Sequence, residues 1–111
     1  MQSTPATRLT VYIGDDHRHG RRPLHRAIMD LLQEEGIAGA TVLHGMEGYG
    51  SDRRLRSARI LDLSGDLPLV LIAVDRPEKI AAVLPKIEPM IEKGLVTTEE
   101  VSIEISRPRE L

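Results

Sequence analysis

The chain predicts an antiparallel sheet of four strands with two helices packed on one face, a split βαβ repeat. Three observations carry that prediction. Period-two apolar alternation, or a short continuous apolar run, recurs along the sequence and marks strands. Two stretches of helical period fall at symmetric places among them, giving the order strand, helix, strand, strand, helix, strand. The 111 residues, read as a single domain over 1–111, contain no Phe, no Trp and only two Tyr. Their core is therefore built from Leu, Ile, Val, Ala and Met, which pack well between a sheet and helices.

Residues 1–7 read as a flexible leader. "RLTVYIG" follows as a half-buried strand, with Leu9, Val11 and Ile13 on one face and Arg8, Thr10 and Tyr12 on the other. The polar "DDHRHGRR" interrupts it, and Pro23 suits the first turn of a helix. Leu24, Ala27, Ile28, Leu31 and Leu32 form that helix's apolar stripe, and Gly36 sits where a C-terminal cap belongs. A second strand runs from about Ala40 to Met46, and "ARILDLS" (58–64) alternates less regularly. "LPLVLIAV" (67–74) is a continuous apolar run, as a central strand requires.

Asp75 followed by Glu78 has the spacing of a capping box, with Pro77 inside the helix start. Ile80, Val83, Leu84, Ile87 and Ile91 make the second stripe, which Gly94 ends. Pro85 and Pro89 fall within it and predict a kink or break near Pro85, because each removes a hydrogen bond and crowds the preceding turn. "VSIEIS" (101–106) alternates as the last strand, with Val101, Ile103 and Ile105 facing one way. The outer sheet face also carries apolar residues, chiefly from 67–74, and an open face of this kind closes by oligomerising.

Composition excludes several function classes. Without cysteine there are no disulfides, no thiolate catalysis and no Cys-type zinc site. No apolar run approaches the roughly 18 residues of a membrane span, and "MQSTPATR" has no signal-peptide core. A cytoplasmic protein is the natural reading. A net charge of -2 argues against bulk binding to nucleic acid or an anionic membrane, although the arginines are bunched.

The segment "GATVLHGMEGYGSDRRLRS" raises the central question. Gly45, Gly48 and Gly50 spell G-x-x-G-x-G, but the polar "SDRRLRSA" after them cannot be the apolar-striped helix of a dinucleotide loop, and no Gly-Lys-Ser/Thr of a P-loop occurs. Two readings stay open. The glycines permit a bulge or tight strand exit, or their N–H groups and the neighbouring Arg53, Arg54 and Arg56 form an anion site.

Asp15, Asp16, His17 and His19 have metal-ligand chemistry, which His25 or His44 could complete if folding gathered them; a solvated loop entering the helix is the favoured reading, and no metal site is assigned. No catalytic arrangement stands out. Ser51, Ser57 and Ser64 lie in no nucleophile elbow, and nothing adjacent tunes Glu47 or Asp52. Arg107 and Arg109, flanking Pro108, are a solvated tail or phosphate-binding groups.

With the element order in hand, "RLTVYIG", "PLHRAIMDLLQEEGIAGATVLHGMEGYG", "ARILDLSGDLPLVLIAVD" and "GLVTTEEVSI" together resemble the DUF190 (UPF0166) family of PII-like proteins, over about residues 8–105. The resemblance implies a ferredoxin-like protomer, a homotrimer, and an adenine nucleotide or related small effector held between subunits. It implies ligand-binding roles for Gly39, Thr41, Gly48, Tyr49 and Gly50, which match the PII cleft strand and its exit, and for Arg107 and Arg109, which follow the last strand. Residues 51–66 correspond to the T-loop, so Arg53, Arg54 and Arg56 belong to a loop that contacts a regulated partner, a membrane transporter or an enzyme. PII proteins carry a Gly- and Lys-rich phosphate loop before the last strand, where this chain has "EKGLVTTEEV"; Glu99 and Glu100 there oppose a triphosphate and favour a less charged ligand.

The leading expectation is a non-enzymatic trimeric sensor. Its alternatives are an assembly module of the same fold without a small-molecule ligand, and a metal-binding protein using His17 and His19, as in the related divalent-cation tolerance fold.

Overall fold

β1 (Thr4–Gly14) buries Leu9, Val11 and Ile13 and turns Arg8 and Tyr12 outward, as its alternation dictates. The structure is a computed structural model that describes residues 3–57 and 67–107. The leader expected over residues 1–7 is not loose from Thr4 on, since the strand starts there and Ala6 is buried. A small hairpin of β2 (Arg18–His19) and β3 (Arg22–Pro23) turns at Gly20, whose φ of 62° suits the first central position of a two-residue turn.

α1 (Leu24–Glu34) follows directly and buries Leu24, Ala27, Ile28 and Leu32. Gly36 caps it in the left-handed region at φ 78°. The Gly36 N–H donates to the Gln33 carbonyl at 3.2 Å and the Ile37 N–H to the Leu32 carbonyl at 3.0 Å, a Schellman ending that also buries Ile37 beside Leu32.

β4 (Ala40–His44) ends two residues before the predicted Met46. A two-residue ladder of β5 (Glu47–Gly48) and β6 (Arg56–Ser57) forms a second hairpin. The alternating stretch at 58–64, with Ser64, lies outside the described residues. β7 (Pro68–Asp75) alternates buried and half-buried residues along its whole length. It is the central strand that its apolar run predicts, buried on the helix side and partly covered on the other.

α2 (Pro77–Ile87) buries Ile80, Val83 and Ile87, and helical bonding runs past Pro85. The predicted break falls instead at a 3₁₀ turn, Glu88–Met90, which holds Pro89. Pro85 and Ala81 are both exposed, so water can serve the Ala81 carbonyl that Pro85 leaves without an N–H partner. The capping box is not formed. The N-cap is Arg76, and no side chain caps the helix. Asp75 spends its carboxylate on the Arg76 N–H (2.7 Å) and, across the fold, on the Ala38 N–H (2.9 Å).

β8 (Leu95–Ile103) begins earlier and ends sooner than the predicted 101–106 strand, leaving Ile105 exposed beyond it. The sheet order is β4-β7-β1-β8, all antiparallel, which is the ferredoxin-like arrangement. The helices cover one face over a core that includes Leu9, Ile28, Leu71, Ile80 and Ile87. The opposite face carries a cross-strand apolar row, Leu43, Val70, Tyr12 and Leu95, and β7 adds Ile72 and Val74 to the same face, as the sequence led one to expect. Leu43, Tyr12 and Leu95 in that row are exposed.

Candidate functional site

The glycine segment leaves the sheet where β4 meets β7. The ladder continues one step past His44, because the Gly45 N–H donates to the Pro68 carbonyl at 2.7 Å. A Cβ on Gly45 would stand 2.7 Å from Pro68 Cγ, and one on Gly48 would stand 3.3 Å from the same atom. Close packing requires glycine at 45 and crowds any side chain at 48, which answers part of the question their spacing raised. Gly50 is different. A Cβ there would meet nothing within 4 Å, and its backbone is not left-handed. Gly39 shares that property and lies at the entry to β4, beside a groove of about 280 Å³ lined by Met29, Leu32, Gln33 and Ala38. Among the described residues, nothing placed nearby demands either glycine.

Thr41 is exposed on the outer face, opposite Ile72. Tyr49 is 73% exposed, an aromatic ring projecting from the hairpin base. Beyond it the Arg53 N–H donates to the Gly50 carbonyl at 2.9 Å, closing a turn in which Arg53 adopts φ 57°. Asp52 organises the tip. Its carboxylate accepts two bonds from the Arg56 guanidinium (3.0 and 3.2 Å) and one from the Arg54 N–H (3.0 Å), while Arg56 also donates to the Arg54 carbonyl. The Arg56 guanidinium and then the Arg54 N–H lower the Asp52 carboxyl from 3.8 to about 2. Sequence reasoning placed Arg53, Arg54 and Arg56 together as loop cations. Arg56 is in addition the tip's internal tie, and Asp52, for which no tuning neighbour was evident, has two.

Arg107 is exposed past the end of β8, and Arg109 lies outside the described residues. The protomer does not bring Arg107 to the glycine hairpin. Gly14 and Pro68 mark one end of the sheet and Thr4 and Ile103 the other; the 11 residues of β1 between them span about 34 Å.

Glu99 and Glu100 also sit differently from the expectation. Both lie inside β8, not in a loop before it, and Glu99 is paired across the strands with Arg8. The loop before β8 is 91–94, with Lys93 exposed and Gly94 at φ 150°. A Cβ on Gly94 would stand 2.8 Å from the Tyr12 carbonyl. Sequence reasoning missed Lys93–Gly94 as the loop, because 95–100 shows no apolar alternation and the strand pattern begins only at Val101. This loop is at the same end of the sheet as the glycine hairpin but on the opposite edge, three strand spacings or about 14 Å away.

The histidine loop is held by its own backbone. The Gly14 N–H donates to His17 Nδ1 at 3.3 Å, and the Leu67 N–H donates to the Asp15 carboxylate at 3.0 Å. Among the described residues no group of three His, Asp or Glu side chains is gathered to hold a metal ion. Among the described residues no helix is long and apolar enough to cross a membrane.

Comparison with known proteins gives consistent matches. The DUF190 family model, described as an uncharacterized ACR, matches residues 6–103. A UPF0166 protein of Aquifex aeolicus is 30% identical over 95 residues, covering 86% of this chain and 90% of that protein. A UPF0166 protein of Methanocaldococcus jannaschii is 37% identical over 89 residues, covering 79% and 82%. Among solved structures, CPII from Thiomonas intermedia K12, described as a nitrogen regulatory PII-like protein bound to ADP, AMP and bicarbonate, superposes with a TM-score of 0.72. That match has 20% identity and covers 92% of this chain and 91% of the other, so it speaks to the fold.

Proposed function

Because the chain belongs to the DUF190 (UPF0166) family and has a PII-like fold, we propose that it is a non-enzymatic regulatory protein that binds an adenine nucleotide or related effector in clefts between the subunits of a homotrimer. The observation that carries this reading is the separation of the candidate half-sites. Gly39, Thr41, Gly48, Tyr49 and Gly50 lie on the β4 edge, while Lys93, Gly94 and Arg107 lie at the two ends of β8, the other edge. One protomer cannot close them on a ligand, whereas a second copy set edge to edge brings one end of its β8 to the hairpin.

Three features support the assembly. Both sheet edges are open among the described residues, the outer face exposes Tyr12, Leu43 and Leu95, and open edges and apolar faces are where copies of a chain pair. Open space over Gly39 and Gly50 supports close approach of a ligand or a neighbouring subunit. The pairing of Glu99 with Arg8 lessens the repulsion expected against phosphates, and Lys93 adds a cation at the β8 edge. CPII, which shares the fold, holds ADP and AMP. Arg53 and Arg54 then serve a partner-contacting loop, with a transporter or an enzyme as its target.

Light scattering and a thermal-shift screen of AMP, ADP, ATP and cyclic nucleotides test the reading. A trimer with a stabilising nucleotide is expected; ligand at about 100 times its Kd adds roughly 2.7 kcal/mol. A monomer at micromolar concentration removes the intersubunit cleft, and a trimer indifferent to millimolar nucleotide leaves an assembly module.

A further inference from the structure

Pro68 is fixed from one side and leaned upon from the other. On the β1 side it faces Gly14, and the next step of the ladder passes through Leu67. The Asp15 N–H donates to the Leu67 carbonyl at 2.9 Å, and the Leu67 N–H returns to the Asp15 carboxylate at 3.0 Å. As the first residue of β7, Pro68 sits where a missing N–H is tolerated. On the β4 side its carbonyl takes the Gly45 N–H, and its ring stands where side chains on Gly45 and Gly48 would project. A pyrrolidine ring has a fixed φ and can shift its Cγ only by a change of pucker, so the hairpin has little choice but to follow the ring.

We infer that Pro68 is a positioning residue for the candidate cleft: its ring sets the height at which Gly48, Tyr49 and Gly50 leave the sheet, and with them the Asp52–Arg56 tip. The ligand arm of this inference rests on the nucleotide reading above, and the packing arm does not. Pro68 occupies the space of a side chain at Gly45 and crowds one at Gly48, whereas among the described residues the space at Gly50, two residues on, is open.

The test uses the full chain as wild type, Pro68→Ala, Gly48→Ala and the double variant. Trypsin cleavage after Arg53, Arg54 and Arg56 is followed by mass spectrometry, ADP binding by calorimetry, and global stability by urea unfolding. Pro68→Ala is expected to speed cleavage in the tip and to weaken ADP by at least about threefold each, while the unfolding midpoint moves little. Gly48→Ala is expected to do the same alone and to add nothing in the Pro68→Ala background, since the clash it causes has gone. If the two changes act independently, or ADP affinity is unchanged in Pro68→Ala, the inference is overturned. Should Pro68→Ala not fold, Gly48→Ala decides alone, and a wild-type cleavage pattern there overturns it. A wild type that binds no ADP overturns the nucleotide reading and the ligand arm together; the cleavage coupling still decides the packing arm.

Discussion

The base and the tip of the glycine hairpin are built on different principles. The base, Gly45 to Gly48, is held by shape: a backbone bond to Pro68 and a ring pressed where side chains would be. The tip, Gly50 to Arg56, is held by charge: one exposed carboxylate gathers a half-buried guanidinium and an N–H. Packing against a rigid ring has one geometry and resists change. Exposed ion pairs contribute little to stability and are readily exchanged. Under the function proposed above, a partner-contacting loop with its root aligned to a cleft is well served by this division.

The sharpest way to break the contrast is to add a methyl group at the base. Gly45→Ala places a Cβ 2.7 Å from Pro68 Cγ and 3.3 Å from its carbonyl oxygen, and overpacking of this kind costs about 1–3 kcal/mol. Urea unfolding should report that loss. Gly48→Ala meets the ring at 3.3 Å only, and its cost should be smaller, under about 1 kcal/mol. Equal costs at the two positions would mean the ring does not set the packing.

The same substitution two residues later should reverse in sign. Gly50→Ala has open space and ordinary backbone, so restricting the unfolded chain should stabilise the protein by about 0.4–1 kcal/mol. It should nonetheless weaken nucleotide binding, which calorimetry separates from stability. A destabilised Gly50→Ala protein would erase the distinction between base and tip.

The smallest effects belong to the tip. Arg56→Ala should leave the unfolding midpoint within about 0.5 kcal/mol and should speed trypsin cleavage after Arg53 and Arg54. Because the Asp52 carboxyl is lowered from 3.8 to about 2, the tie it makes is complete above about pH 3.8 and is lost as pH falls through about 2. Carboxyl-carbon NMR should follow that titration, and in Arg56→Ala the midpoint should climb back towards the ordinary value. An unmoved midpoint would show that Arg56 is not the cause.

Period and chirality made most of the fold legible in the chain itself. Leu9, Val11 and Ile13 had to share a face, the stripe from Leu24 to Leu32 had to be a helix, and Gly36 had to end it, because these follow from local geometry. Local pattern failed where a distant partner competed for the same group. Asp75 has the spacing of a helix cap, yet its carboxylate bonds the Ala38 N–H, 37 positions away. Pro85 has the mark of a helix breaker, yet its turn faces water, which no stretch of sequence announces.

The candidate site divides in the same way. Its residue types, three glycines followed by a run of arginines, could be read directly. Which glycines answer to Pro68 and which to open space, that Glu99 is neutralised by Arg8, and that the β4 and β8 edges cannot meet within one protomer are facts of strand order and register. Sequence determines what each short segment can become, because backbone sterics and periodicity act over a few residues. Only the tertiary structure decides which of those segments stand within van der Waals or ionic reach of one another, because those energies fall away within a few ångströms of space, whatever the separation along the chain.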